Sequence, residues 1–130
     1  MISVPDICSA SFVVVIVEDE PLIRMAAVDD LIDAGFMVIE AEHAADAIAI
    51  LQSRAIYVDL LFTDIHMPGT MDGLALAHHA SANWPWIALL LASGLTRPQT
   101  HEMPAGCWFL AKPYDPGKLV AHARALTAVK

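Results

Sequence analysis

The chain has 130 residues, 57% hydrophobic and 17% charged, a balance that excludes a disordered segment and fits one compact domain. Fifteen acidic against seven basic residues leave a formal net charge of −8, which argues against a grip on DNA phosphates or on anionic lipid. Two cysteines, Cys8 and Cys107, are too few for a disulfide framework and read as structural thiols in a reducing, cytoplasmic compartment.

In chain order, residues 1–11 read as a loosely attached tail and residues 12–130 as the domain. Residues 12–17 are apolar on both faces, as expected of a strand covered by helices on each side. No Lys or Arg precedes this run and Glu18-Asp19-Glu20 follows it, so it is not a signal-peptide core. No apolar run approaches the length of a membrane span. Pro21 opens a helix predicted to reach about Ala34, with Met25, Val28, Leu31 and Ile32 on one side and Asp29, Asp30 and Asp33 largely on another. Gly35 then supplies a left-handed stop. Further strands are predicted over 37–41, 60–63, 87–91 and 108–111, and further helices over 44–53, 72–82 and 115–129. Pro98, Pro104 and Gly106 break what would be a helix between the last two strands, so a short turn or irregular loop is expected there. The alternation predicts an α/β fold, a doubly wound five-stranded parallel sheet with helices on both faces.

In such a sheet a ligand binds beyond the carboxyl ends of the strands, so the polar residues that follow each strand are the candidates. They are Glu18 and Asp19 after the first strand, Asp64 after the third, Ser93 after the fourth and Lys112 after the fifth. Converging carboxylates repel one another unless a proton or a hard dication neutralises them, and oxygen ligation suits Mg²⁺ or Mn²⁺. That leaves one carboxylate able to act as nucleophile on a phosphoryl group, with Lys112 and Ser93 placed to bind phosphoryl oxygens.

Four segments, Val-Glu-Asp-Glu-Pro at 17–21, Phe-Thr-Asp-Ile-His-Met-Pro-Gly-Thr-Met-Asp-Gly at 62–73, Ala-Ser-Gly at 92–94 and Lys-Pro at 112–113, occur in a specific order and separation. The chain resembles a receiver domain of bacterial two-component response regulators, the chemotaxis-receiver type, over about residues 12–129. The resemblance implies a flavodoxin-like fold with strand order 2-1-3-4-5. It also implies Asp64 as phosphoacceptor, Asp19 as direct metal ligand, Glu18 acting on the metal through water, and the His66 backbone carbonyl completing the metal shell. Lys112 matches the lysine that contacts the phosphoryl group, Ser93 the switch hydroxyl and Phe109 the switch aromatic. The implied partner is a sensor histidine kinase or a histidine phosphotransfer protein that phosphorylates Asp64. No second module stands in these 130 residues, so the expected output is binding to an unknown downstream protein, onward relay of phosphate, or homodimerisation, without direct DNA or membrane binding.

This sequence departs from the commonest receiver pattern in three places. The loop after Asp64 carries Gly69-Thr70 and is one residue longer than its shortest version, the switch aromatic is Phe without a hydroxyl, and the fourth helix is shortened and broken by proline. Such a receiver catalyses only its own phosphorylation and dephosphorylation. A receiver-like scaffold that is never phosphorylated is the alternative reading. An aspartyl-phosphate hydrolase of the haloacid dehalogenase type would want a second Asp two residues after Asp64, where His66 stands, and a flavin site would want a Ser/Thr/Gly-rich loop in place of Glu18-Asp19-Glu20. His78 and His79 are adjacent and share no helix face, so the histidines read as surface residues; Met67 and Met71 read as packing around the Asp64 loop.

Overall fold

In the computed structural model, residues 11–53 and 57–128 are described. They alternate strand and helix as β1 (Val13–Val17), α1 (Pro21–Asp33), β2 (Met37–Ala41), α2 (Ala44–Gln52), β3 (Leu60–Asp64), α3 (Gly73–Asn83), β4 (Ala88–Ser93), β5 (Trp108–Ala111) and α4 (Pro116–Thr127). The five strands are all parallel, in the order β2-β1-β3-β4-β5, which is the flavodoxin-like topology expected. Element ends agree with the sequence reading to within a residue or two, the spread usual for helix and strand termini. The predicted tail, Cys8 and the last residue assigned to the final helix, Val129, fall at least partly outside the described residues.

The sheet is covered on both faces, and the side-chain alternation of each strand divides the core in two. Val15, Val17, Leu61, Leu89 and Leu91 pack under α2 and α3, against Ala47, Leu51, Leu76, Ala77 and Ala80. Val14, Ile16, Leu60, Phe62 and Leu90 face the other way, against Ala27, Leu31, Leu119, Ala123 and Leu126 of α1 and α4. The alanines at these contacts let helix backbones lie close to the sheet, while the strand leucines and valines supply the buried area.

The proline-rich segment between β4 and β5 holds a single 3₁₀ turn, Thr100–Glu102, in place of an α-helix, as its prolines predict. Gly35 adopts φ +100°, the left-handed conformation expected just past α1. The predicted apolar face of α1 is corrected. Leu31 is buried and Val28 half-buried as expected, but Met25 and Ile32 are 56% and 52% exposed, and Ala27 takes the central place against the sheet. Apolar residues stand on every side of this helix, so periodicity could not single out the small side chain that fits the closest approach. Among the described residues no helix is long and apolar enough to cross a membrane.

Candidate functional site

Strand register, more than any single residue, assembles the site. Val17 lies beside Thr63, Asp64 beside Ala92 and Ser93 beside Ala111, so the residues at or just past these pairs come level at one edge of the sheet. The result is a mouth formed by Glu18, Asp19, Asp64, Ser93 and Lys112. One carboxylate oxygen from each of Glu18, Asp19 and Asp64 lies within 4.8 Å of the others. Lys112 joins two of these acids, with Nζ 2.6 Å from Glu18 Oε1 and 3.0 Å from Asp64 Oδ1.

Burial sets the electrostatics. Glu18, Asp64 and Ser93 are 5%, 8% and 3% exposed, so their charges and dipoles act in a medium poorer than water. Desolvation pushes the Glu18 carboxyl above its usual range, against the opposing pull of Lys112 and of the Glu20 amide. Burial alone would lower the Lys112 ammonium, but its hydrogen bonds to Glu18 and Asp64 win and hold it above its usual value. Three carboxylates and one ammonium leave this cluster formally two charges negative when all are ionised.

That surplus and the all-oxygen donor set fit a hard divalent cation. Glu18, Asp19 and Asp64 each bring an oxygen to this one small volume, and these residues would hold such an ion.

The loop after β3 is positioned by an unusually close approach. The Ile65 amide donates to the Ala92 carbonyl at 2.9 Å, and the Gly73 amide donates to the Ile65 carbonyl at 2.8 Å. A Cβ on Gly73 would stand 1.9 Å from the backbone oxygen of Asp64, so the first residue of α3 has to be glycine for Asp64 to sit where it does. Asp72 caps the same helix, its carboxylate accepting from the Ala75 amide at 2.8 Å.

Across the mouth, the Ser93 hydroxyl accepts from the amides of Leu95 and Thr96 at 3.2 and 3.3 Å, so it serves its own loop. The exposed His66 ring lies 3.2 Å from Thr96 Oγ1, linking the loops that follow β3 and β4. Phe109 is half-buried on β5, with the Arg97 guanidinium 5.0 Å above its ring. Cys107 is a free, half-buried thiol whose pKa burial pushes up to about 12, so it stays protonated, as a structural cysteine should. Met67 and Met71 pack partly buried against the core beneath the Asp64 loop, and among the described residues no histidine belongs to a cluster suited to a metal.

Sequence reasoning missed three contributors. Arg24 donates through Nη1 to the Glu18 carbonyl at 2.7 Å and through Nε to Glu40 at 3.0 Å. Gly73 and the Arg97–Phe109 pair were likewise unassigned. For Arg24 the signal was present, since it is the one basic residue of a helix carrying three aspartates. The other two depend on distances that no spacing rule supplies.

Known proteins are similar to this chain in sequence and in fold. The family model described as response regulator receiver domain matches residues 14–124. The sensor kinase CckA of Brucella abortus is 33% identical over 110 residues, a stretch that covers 82% of this chain and 12% of that protein. The C4-dicarboxylate transport transcriptional regulatory protein DctD of Rhizobium meliloti is 34% identical over 119 residues, covering 89% of this chain and 25% of that one. This chain therefore spans only a small part of these relatives' length. A response regulator receiver protein from Sinorhizobium medicae has the same fold, with a TM-score of 0.85 at 24% identity over 91% of this chain and 95% of that one. The acidic mouth thus sits on a shared fold and a shared sequence pattern, and the chain belongs to the response regulator receiver domains, the regulatory family of two-component signalling systems.

Proposed function

We propose that this receiver domain is a phosphoacceptor switch in which Asp64 takes a phosphoryl group from a phosphohistidine, supplied by a sensor histidine kinase or a histidine phosphotransfer protein. The observation that carries this reading is the cluster of Glu18, Asp19 and Asp64, with Glu18 and Asp64 buried and Lys112 bonded to both. Asp19, Asp64 and the His66 carbonyl would hold Mg²⁺ or Mn²⁺ directly, with Glu18 acting through water. When bound, the ion supplies positive charge against the phosphoryl oxygens as transfer proceeds.

The chain's own residues perform the rest. An Asp64 carboxylate oxygen attacks phosphorus in line; the donor's P–N bond breaks, its electron pair stays on the ring nitrogen, and the ring leaves as neutral imidazole with the proton already on its other nitrogen. Lys112, already 3.0 Å from Asp64, moves its hydrogen bond to an incoming phosphoryl oxygen. The Ser93 hydroxyl, whose oxygen now accepts from two loop amides, keeps its proton to donate to the phosphoryl group once the loop shifts. Phe109 then exchanges its place beneath Arg97 for the space that the loop vacates. A groove of about 560 Å³ lined in part by Leu22, Ile23, Pro113 and Tyr114 opens beside Lys112 and gives a donor protein an apolar rim to rest on.

The test is a mass measurement after incubation with Mg²⁺ and acetyl phosphate, beside Asp64→Asn. A Mg²⁺-dependent gain of one acid-labile phosphate, absent in the variant, is the expected result. Folded, Mg²⁺-bound protein that gains none from either acetyl phosphate or a phosphohistidine donor sinks the reading in favour of an interaction scaffold.

A further inference from the structure

Arg24 lies one turn into α1, yet its side chain folds back over the turn that delivers the acids. It is 15% exposed and makes two separate bonds, Nη1 to the Glu18 carbonyl at 2.7 Å and Nε to Glu40 Oε1 at 3.0 Å. Glu40 belongs to the edge strand β2 and pairs in register with Ile16 of β1. Arg24 therefore ties three pieces together: the start of α1, the end of β1 and the sheet edge.

Every polar group of Glu18 is engaged as a result. Its amide donates to the Ala41 carbonyl at 3.1 Å and its carbonyl accepts from Arg24. Its carboxylate accepts from Lys112 at 2.6 Å and from the Glu20 amide at 3.2 Å. Asp19 sits between two residues fixed in this way. The ion pair itself adds little to stability, because Glu40 is half exposed and such pairs are worth little in water. Its value is geometric, and it needs a planar, two-armed donor, which a lysine does not provide.

Resting on the cation site proposed above, we infer that Arg24 is a positioning residue for that site: by holding the Glu18 carbonyl and the Glu40 carboxylate together, it fixes the turn that presents Glu18 and Asp19 to the ion. Groups that orient a metal's ligands characteristically change affinity by about ten- to a hundredfold when removed.

The experiment is calorimetric titration of the full chain with Mg²⁺, comparing wild type, Arg24→Ala, Arg24→Lys and Glu40→Gln, with Asp19→Asn as a control for loss of a ligand. Arg24→Ala is expected to raise the Kd about tenfold, Arg24→Lys by less, and Glu40→Gln least, since it leaves the bond to Glu18 in place. The Mg²⁺ concentration that half-saturates acetyl phosphate labelling rises in parallel, while the rate at saturating Mg²⁺ stays near wild type; a merely structural loss would not produce that split. Folded Arg24→Ala with wild-type Kd overturns the inference. If Arg24→Ala does not fold, Arg24→Lys decides, wild-type affinity overturning the inference and weakened affinity supporting it. Wild-type protein that takes up no Mg²⁺ overturns the cation-site reading and this inference with it, a result distinct from the loss of Arg24's role alone.

Discussion

The two sides of the mouth are built differently. On the β1 and β3 side, Glu18 is bonded through every polar group it has, Arg24 ties three elements together, and Gly73 lets α3 press against the Asp64 backbone. On the β4 and β5 side, Ser93, Thr96, Arg97 and Phe109 are joined by two hydrogen bonds longer than 3.1 Å, one exposed imidazole contact and one ring contact. The three acids, Asp64 among them, stand on the tightly bonded side, while the Ser93 hydroxyl and the Phe109 ring stand where a single new bond can redistribute the contacts. A switch needs both: a fixed place to accept charge and a weakly held segment to report it.

Substitutions sharpen this contrast, beginning with the largest effect. Gly73→Ala forces a methyl into the Asp64 carbonyl and should cost about 3 kcal/mol, or displace α3 and abolish labelling of Asp64; urea unfolding and the mass assay read both. Asp72→Ala removes the cap of α3 and should cost about 1 kcal/mol in the same unfolding assay, with Asp64 still labelled. On the other side, Arg97→Gln should change stability by only about 0.5 kcal/mol, as suits an exposed cation resting on a ring, while altering the environment of Phe109 seen by NMR. Equal costs for Gly73→Ala and Arg97→Gln would erase the distinction between the two sides.

Acid titration gives a further check on the rigid side. Burial raises the Glu18 carboxyl above its usual 4.5, so the folded metal-free protein holds this proton more tightly than the unfolded chain does. The contribution is fully present below pH 4.5 and is lost as pH rises through the folded value. Glu18→Gln, which cannot ionise, should therefore stabilise the protein in EDTA at neutral pH relative to wild type, and the gain should shrink as the pH falls toward the unfolded value. Destabilisation by Glu18→Gln at neutral pH that fades on acidification would show that Lys112, and not burial, dominates Glu18.

Much of this was legible in the chain itself. The strands read clearly because they are apolar on both faces, and Glu18, Asp19, Asp64, Ser93 and Lys112 were legible because each follows or ends one of them. The broken segment before β5 was legible from its prolines. The buried face of α1 was not, because Leu22, Met25 and Ile32 are as apolar as Leu31, and only packing decides that Ala27 meets the sheet. Arg24 stood out as the one basic residue of α1, but its partner did not, since Glu40 is sixteen residues away on a strand whose place beside β1 comes from the sheet order. Gly73 was visible as a turn glycine, but its contact with Asp64 is a tertiary distance.

The most direct test of the two-sided mouth is a residue-resolved amide NMR comparison of the Mg²⁺-loaded protein before and after acetyl phosphate, with Asp64→Asn as the control. Beyond the immediate neighbours of Asp64, the largest shifts are expected at residues 93–99 and along β5, with the start of α1 and of α3 moving little and the variant showing none of this. Large shifts centred on α1 and α3 with residues 93–99 unchanged would contradict the two-sided mouth.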